Sequence, residues 1–180
     1  MDIQLVSPAF DDRIRWDPAL IRKYDVPGPR YTSYPTALQF DENFGSREYE
    51  RYLLERPPVI GPLSLYVHIP YCRNICYYCA CNKIVTRDAA VAERYIVAVE
   101  KEIALLSRHF DRRRRVTQLH WGGGTPTFLS PAELTRLMHG LAKHFSLIDA
   151  PEREYSIEID PRSVDTGTIA LLKGLGFNRV

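Results

Sequence analysis

The stretch "LSLYVHIPYCRNICYYCAC" (residues 63–81) joins an alternating segment to all four cysteines of the chain. Residues 63–70 alternate apolar and polar side chains and are rich in strand formers, so they predict a β-strand. The cysteines follow at once, at positions 72, 76, 79 and 81. A compact group of thiols directly after a strand predicts a chemical site at the end of that strand.

The chain downstream of the cysteines repeats a pattern of strand, loop and helix. Residues 116–123 and 154–161 predict two further strands, and residues 177–180 resemble the start of a fourth. Amphipathic patterns predict helices at residues 88–110, 130–145 and 165–176. Ser130, Pro131 and Glu133 have the order of a helix capping box. Strands that alternate with helices indicate right-handed βαβ units and a parallel sheet, an α/β fold.

Each predicted strand has one apolar and one polar set of side chains. A flat sheet covered on both faces would favour continuous apolar runs. A polar set therefore predicts a curved sheet with a ligand on its concave face, as in a TIM-like barrel or part of one, with chemistry at the carboxyl ends of the strands. The polar set is Ser64, Tyr66, His68, Gln118, His120, Ser156, Glu158 and Asp160.

The amino-terminal third has a different composition. Prolines are frequent between residues 24 and 40, which disfavours helices and central strands. We predict an arm with one short helix at residues 46–55, so that residues 1–60 form an arm and residues 61–180 form the core.

Composition narrows the possible environments and partners. The 180 residues are 45% hydrophobic and 26% charged, with a net charge of +2, which favours a folded domain and gives no attraction to nucleic acid or anionic membranes. No stretch has the apolar length of a membrane helix, and the amino terminus does not resemble a secretory signal. Clustered cysteines also differ from a secreted disulfide scaffold, so we predict a cytoplasmic protein.

The cysteine spacing is C-x3-C-x2-C, with Cys81 following after one residue. Disulfides are disfavoured because short loops gain little from cross-linking. Structural zinc usually takes two pairs of ligands from separate loops, and the chain has no second pair. His68 could be a further ligand, but its place on an alternating strand predicts that it lines the interior. An iron–sulfur cluster on a single loop suits the spacing better.

This spacing, in the loop after the first strand of a βα series, resembles that of the radical S-adenosylmethionine enzymes. Tyr78, just before the last motif cysteine, is also usual there. The resemblance implies that Cys72, Cys76 and Cys79 bind a [4Fe–4S] cluster whose open iron chelates S-adenosylmethionine. It further implies reductive cleavage of this cofactor to methionine and a 5′-deoxyadenosyl radical. The implied fold is the amino-terminal part of a partial TIM-like (β/α) barrel, incomplete in this chain.

Two later motifs extend the resemblance. "GGGTPT" (residues 122–127) ends the second predicted strand and resembles the glycine motif that contacts the cofactor's amino group. "IEIDP" (residues 157–161) places Glu158 on the polar face, where a carboxylate needs a partner or solvent. A simple turn and a structural salt bridge are the alternatives for these two motifs.

Together with "YTSYPTA" (residues 31–37), "YVHIPYC" (66–72), "CYYCACNK" (76–83) and "SIEIDPR" (156–162), these motifs resemble the oxygen-independent coproporphyrinogen III oxidases. That family converts two propionates of coproporphyrinogen III to vinyl groups, giving protoporphyrinogen IX in haem synthesis. The resemblance implies two S-adenosylmethionine molecules, the first contacted by Tyr66, Gly123 and Glu158, and the second by Tyr78, Gly124 and Thr125. It also implies an electron donor such as flavodoxin or ferredoxin, and a monomeric enzyme at full length.

The family is longer than this chain, with further strands and a carboxyl-terminal domain. We therefore expect the 180 residues to be inactive alone. A related haem-binding chaperone is the alternative, but such relatives lack the cysteine at the position of Cys81 and the "YTSYPTA" arm. Both features are present here, and Cys81 is expected to mark the enzyme family without binding the cluster.

Overall fold

A computed structural model describes residues 17–26, 37–55 and 61–180. The chain divides into two compact units, Met1–Tyr49 and Glu50–Val180. Residues 31–36 of the predicted "YTSYPTA" arm lie outside the described residues. The predicted division between residues 60 and 61 stays a prediction.

The first unit contains a short helix that sequence patterns did not predict. Helix α1 (Pro18–Tyr24) begins after Asp17, whose carboxylate accepts hydrogen bonds from the backbone of Ala19 and Leu20 at 2.9 and 3.0 Å. This carboxylate satisfies two of the amides that a helix start leaves open. Helix α2 (Ser46–Glu55) has the bounds predicted for it and crosses the boundary between the two units.

The second unit is built on parallel strands. The strands are β1 (Leu63–Ile69), β2 (Tyr71–Cys72), β3 (Ile84–Val85), β4 (Arg115–Gly123), β5 (Ser146–Leu147) and β6 (Glu154–Ile157). Strand β4 is central: it pairs in parallel with β1 on one side, and with β5 and then β6 on the other. The two-residue strands β2 and β3 form a separate parallel pair. The predicted parallel α/β sheet is confirmed.

Three helices connect these strands. Helix α3 (Val91–Leu106) is shorter than predicted and ends in a 3-10 turn at Ser107–His109. Helix α4 (Pro131–His144) begins with the predicted capping box, in which Ser130 and Glu133 bond each other's backbone amides. Helix α5 (Thr166–Gly174) is capped by Asp165, which accepts from Thr168 N. Each helix follows a strand, as a βα series requires.

The hydrophobic core lies on the apolar face of the sheet. Its fully buried members come from strands and helices alike: Ile69, Ile96, Val116, Leu119, Trp121, Leu134, Leu137, Ile157 and Leu172. Trp121 packs edge-on against Phe177, with ring centroids 5.2 Å apart. Apart from Val116, where the pairing of β1 with β4 shifts register, the strand residues in this set have the predicted apolar parity, so their burial leaves the other parity to the opposite face.

The polar parity forms rows across the opposite face. Tyr66 on β1 lies in register with His120 on β4, which lies in register with Ser156 on β6. This is the arrangement predicted for the inner face of a TIM-like barrel, of which the described sheet forms the amino-terminal part. Ser156 also makes an isolated parallel bridge to Arg179, where the start of a fourth strand was predicted.

Strand β6 ends earlier than predicted, at Ile157 instead of residue 161. Glu158 N still donates to Trp121 O at 2.9 Å, so the edge contact continues one residue further. Asp160 then accepts from Arg162 N at 3.0 Å, and Ser163 N donates to Asp160 O at 2.9 Å. These local hydrogen bonds turn the chain away from its pairing with β4.

Within the described ranges, every helix is too short or too polar to cross a bilayer.

Candidate cofactor-binding site

The loop that carries the cysteines is closed at its base by strands β2 and β3. Ile84 N donates to Pro70 O at 2.7 Å, and Thr86 N donates to Cys72 O at 2.9 Å. The loop thus leaves and returns at the carboxyl end of β1. This end of a parallel sheet is where α/β barrels carry their chemistry.

The four cysteines differ in exposure but are all free thiols. Cys72 is buried at the end of β2, Cys79 is partly exposed, and Cys76 and Cys81 are exposed. Cys79 N donates to Cys76 O at 3.2 Å, which forms a turn between two of the predicted ligands. Free thiols on one short loop disfavour the disulfide alternative.

The local environment shifts the pKa values of the Cys79 and Cys81 thiols in opposite directions. A backbone hydrogen bond from Cys81 lowers the pKa of the Cys79 thiol, and nearby Lys83 lowers it further. Burial raises the pKa of the Cys81 thiol, and the neighbouring Cys79 raises it further. The Cys79 thiol is therefore the more acidic of the two.

The glycine stretch is bonded directly to the base of the cysteine loop. Gly124 N donates to Ile69 O at 2.8 Å, and Thr125 N donates to Tyr71 O at 2.9 Å. The Thr125 hydroxyl donates to the Cys72 sulfur at 3.7 Å. The two motifs that sequence analysis singled out separately therefore form one structure.

Close approach explains why residues 122–124 are glycines. A Cβ on Gly124 would lie 2.7 Å from Tyr71 O and 2.8 Å from Pro70 O, both backbone atoms that cannot move aside. Gly123 has φ of +110°, and a Cβ there would lie 2.5 Å from the His68 ring. Only glycine fits these two positions without strain.

Glu158 approaches this glycine stretch from β6. Its Oε2 accepts from Gly123 N at 3.0 Å, and its Oε1 lies 3.5 Å from His120 Nε2. The Glu158 side chain is still half exposed. The structural salt-bridge alternative is thus realised only in part, because the carboxylate keeps surface for a ligand.

Tyr66, also predicted to contact the cofactor, lies on the middle row of the polar face. Its ring stacks on His120 with centroids 5.7 Å apart, and its hydroxyl lies 2.9 Å from His68 Nδ1. Burial raises the pKa of Tyr66, and the charge of Glu158 raises it further. His68 Nε2 lies 3.0 Å from Asn82 O, so both ring nitrogens of His68 have protein partners. This agrees with the prediction that His68 lines the interior.

A cavity of about 670 Å³ lies where these elements meet. Of the predicted site residues, Tyr66 is not among those that line the cavity. The others all line it: Cys72, Cys76, Tyr78, Cys79, Gly123, Gly124, Thr125 and Glu158. Lys83 and Arg162 also line it, and their positive charges lie beside the carboxylates of Glu158 and Asp160, which line it too.

The donor set of this cavity suits an iron–sulfur cluster better than zinc. Among residues 17–26, 37–55 and 61–180, no three Cys, His, Asp or Glu side chains are grouped closely enough to hold a metal ion. The thiols nevertheless share one loop and one cavity, and three of them lie on its exposed or partly exposed part. Thiolates on a single loop are the usual ligands of such clusters, so the residues present fit this group.

Sequence analysis did not assign a role to several residues of this site. His120 and Ser156 were predicted only as members of the polar set, yet His120 Nδ1 lies 2.7 Å from Ser156 Oγ. Arg162 binds both oxygens of Asp160 at the rim of the cavity, at 2.9 and 2.8 Å. Strand register was the signal that could have placed His120 beside Ser156.

Comparisons with known proteins agree with this geometry. The family model of the radical SAM superfamily matches residues 66–180. An oxygen-independent coproporphyrinogen III oxidase of Pseudomonas aeruginosa is 54% identical over 169 residues, covering 94% of this chain and 37% of that protein. A protein of the same name from Mannheimia haemolytica is 49% identical, covering 82% of this chain and 98% of the relative.

A solved structure is also similar. Coproporphyrinogen III oxidase from Escherichia coli, described as a radical SAM enzyme, matches with a TM-score of 0.73 and 48% identity. The match covers 92% of this chain and 36% of that one. The chain therefore spans little more than a third of the Pseudomonas and Escherichia relatives.

Proposed function

The chain belongs to the radical SAM superfamily, in which its relatives are oxygen-independent coproporphyrinogen III oxidases, and we propose that it takes part in the same reaction. That reaction is the oxidative decarboxylation of two propionates of coproporphyrinogen III to vinyl groups, which gives protoporphyrinogen IX. The names of the relatives support this substrate. The haem-binding alternative has no support from the described residues or from these relatives.

One observation carries the proposal. The cysteine loop, the glycine stretch and Glu158 meet around one cavity at the carboxyl ends of β1, β4 and β6. They are joined by hydrogen bonds, among them Thr125 to Cys72 and Gly123 to Glu158. A cavity with a few convergent polar groups at this edge of a parallel sheet is the expected place for a cofactor.

Within this cavity, Cys72, Cys76 and Cys79 would hold a [4Fe–4S] cluster. Cys72 is fixed at the end of β2, while Cys76 and Cys79 share a turn on the loop. When bound with S-adenosylmethionine, such a cluster supplies radical hydrogen-abstraction chemistry. Cys81 is not assigned as a ligand. It lies outside the C-x3-C-x2-C spacing of the other three cysteines.

The chain's own residues would bind and orient two S-adenosylmethionine molecules. We assign Tyr66, Gly123 and Glu158 to the first, and Tyr78, Gly124 and Thr125 to the second. Glu158 has a fixed orientation and free surface, which suits a hydrogen-bond acceptor for a cofactor. Tyr78 is largely exposed beside the cysteines, where it could cover a ligand.

The remaining partners are those that the resemblance to the family implies. The positive charge of Lys83 at the cavity suits a carboxylate of the cofactor or of a tetrapyrrole, whereas Arg162 is already paired with Asp160. A flavodoxin or ferredoxin would supply electrons, and the full-length protein would act as a monomer. We expect the 180 residues alone to load a cluster without converting coproporphyrinogen III, because their strands form only part of a barrel.

Anaerobic reconstitution with iron and sulfide tests the proposal. The loaded chain should contain about four irons and four sulfides, as a [4Fe–4S] cluster requires, and should be brown. Cys72→Ala, Cys76→Ala and Cys79→Ala should each lose most of the iron. Cys81→Ala is the matched control on the same loop and should keep it.

Cofactor cleavage is the second measurement. With a strong reductant, the loaded chain should release 5′-deoxyadenosine from S-adenosylmethionine, and Glu158→Gln should reduce the yield. A colourless protein that binds one zinc would refute the proposal. Equal iron in Cys76→Ala and Cys81→Ala would refute the assignment of ligands.

A further inference from the structure

His120 lies at the centre of the polar face and contacts two of the three residues assigned to the first cofactor molecule, Tyr66 and Glu158. Its Nε2 lies 3.5 Å from Glu158 Oε1, and its ring stacks on Tyr66 with an interplanar angle of 15°. Its Nδ1 lies 2.7 Å from Ser156 Oγ. His120 is thus held by β6 and faces two side chains that come from different strands.

The contacts of the His120 ring indicate which of its nitrogens donates and which accepts. A neutral imidazole donates from one nitrogen and accepts at the other. A proton on Nε2 places a donor toward the Glu158 carboxylate, and Nδ1 then accepts the proton of the Ser156 hydroxyl. The opposite tautomer would place a lone pair against a carboxylate, which repels it.

The carboxylate of Glu158 is held at two points. One oxygen accepts from Gly123 N at 3.0 Å, and the other faces His120 Nε2. A single contact would leave the carboxylate free to rotate about its terminal bond. The hydrogen bond to one oxygen and the 3.5 Å contact to the other restrict the plane of the carboxylate, while its half-exposed surface stays available to accept hydrogen bonds from a ligand.

Gly122 provides the space in which this arrangement fits. A Cβ on Gly122 would lie 2.8 Å from His120 Nε2 and 3.0 Å from Glu158 Cδ. The His120 ring and the Glu158 carboxylate therefore both lie over the bare backbone of Gly122. A side chain at Gly122 would therefore collide with His120 and Glu158, whereas one at Gly123 would collide with His68 and one at Gly124 with Tyr71.

We propose that His120 is a positioning residue that orients the Glu158 carboxylate for S-adenosylmethionine, with Ser156 fixing the tautomer of the His120 ring. This inference rests on the proposed function, in which Glu158 contacts the cofactor. His120 itself touches no reacting atom. It acts through Glu158, as outer-shell partners do when they orient a ligand-binding group.

Binding of radiolabelled S-adenosylmethionine to the reconstituted chain tests the inference. His120→Phe keeps a flat ring on Tyr66 but removes both nitrogens. It should raise the dissociation constant about 10-fold, the lower end of what losing an outer-shell partner costs. His120→Gln keeps an amide donor near the position of Nε2 and should restore most of the affinity. The iron content should stay unchanged in both variants.

A double-mutant cycle separates positioning from a general structural role. Glu158→Gln should weaken binding by itself, and adding His120→Phe to it should cause little further loss, because the second residue acts through the first. Losses that multiply independently would overturn the inference. Failure of His120→Gln to restore any affinity would also count against it.

A second readout does not depend on the cofactor. In the chain without a cluster, ¹⁵N NMR of the histidine rings should show a proton on Nε2 of His120, and Glu158→Gln should change this signal. A proton on Nδ1, or a signal that ignores Glu158→Gln, would overturn the inference. If the cluster-loaded wild-type chain binds no S-adenosylmethionine, the proposed function fails, while the NMR result still decides the role of His120.

Discussion

The hydroxyl of Thr125 donates a hydrogen bond to the sulfur of Cys72, at 3.7 Å. This bond links the glycine stretch after β4 to the first cysteine of the loop after β1. Hydrogen bonds to a metal ligand orient it and tune its basicity, and their loss typically costs about 10–100-fold in metal affinity.

Thr125→Val should therefore weaken cluster retention by about 10-fold or more. The measurement is the rate at which a chelator removes iron from the loaded chain under anaerobic conditions. Thr127→Val is the matched control, because the Thr127 hydroxyl is buried without a hydrogen-bond partner in the described part of the chain. Equal iron loss in both variants would show that the bond to Cys72 has no such role.

Gly124→Ala should lower the free energy of unfolding by about 2 kcal/mol or more, because the added Cβ would overlap backbone atoms of Pro70 and Tyr71. The control is Gly140→Ala on α4, where a Cβ would meet nothing within 4 Å. That substitution should stabilise the chain by about 0.5–1 kcal/mol, the usual gain of alanine over glycine in a helix. Urea denaturation of both variants measures the difference, and a destabilised Gly140→Ala would contradict this account.

Arg136 on α4 joins two carboxylates of α3, and its loss should weaken the contact between these helices. Its guanidinium binds Glu93 at 2.8 Å and Glu100 at 2.6 Å. The Arg136 side chain is 40% exposed, so solvent screens the pairs and limits their value. Arg136→Gln should lower the free energy of unfolding slightly at low salt.

Varying the salt concentration and the pH provides the control for the ion pairs of Arg136. The loss in Arg136→Gln should shrink in 1 M salt, where the Debye length is about 3 Å. The hydrogen bond from Arg136 lowers the pKa of Glu100, so its contribution is present above the ordinary pKa and is lost as the pH falls through the lowered value. A loss that is independent of salt would point to packing of the side-chain stem instead.

Asp111 should make unfolding depend on pH in a defined window. Hydrogen bonds from the Arg113 side chain and backbone lower the pKa of Asp111 from 3.8 to about 2. Because the folded pKa is the lower one, the contribution is complete above about pH 4 and disappears as the pH falls toward 2. The difference in unfolding free energy between the wild-type chain and Asp111→Asn should shrink across this window.

Arg113→Gln provides the check, since it removes the main cause of the shift. It should reduce the pH dependence of the unfolding free energy that Asp111 causes, without changing the charge of Asp111 at neutral pH. Urea denaturation between pH 2.5 and 6 follows all three proteins. Parallel curves for the wild-type chain and Asp111→Asn would exclude this linkage.

The sequence was sufficient to predict the strands and helices whose apolar residues recur with a clear period. Strand β1 was predicted to within one residue, and the alternation of apolar and polar residues separated the buried face from the polar one except at Val116, where the strand pairing shifts register. Helix α3 was predicted too long, because apolar residues such as Phe110 continue the pattern beyond the point where the helix tightens into a 3-10 turn. Local hydrogen bonds at Asp160 likewise ended β6 early.

What the sequence could not supply was contact between distant segments. The two-residue strands β2 and β3 are too short for a period, yet they close the cysteine loop. The prediction that glycines meet a cofactor remains a proposal, and the structure adds a different reason for them, since Tyr71 and His68 leave no room for a Cβ. The relation of His120 to Glu158 also needs strand register, which pattern alone does not provide.

The bond between Thr125 and Cys72 also sets an order of events during biosynthesis. The two residues are 53 positions apart, so the ribosome makes the cysteine loop well before its partner. At typical elongation rates of about 5–20 residues per second, the thiols wait roughly 3–10 s for Thr125. During this interval they are exposed to oxidants without the glycine stretch beside them. Iron delivered after the β1–β4 pair has formed would therefore meet a prepared site, whereas iron delivered earlier would meet only a flexible peptide.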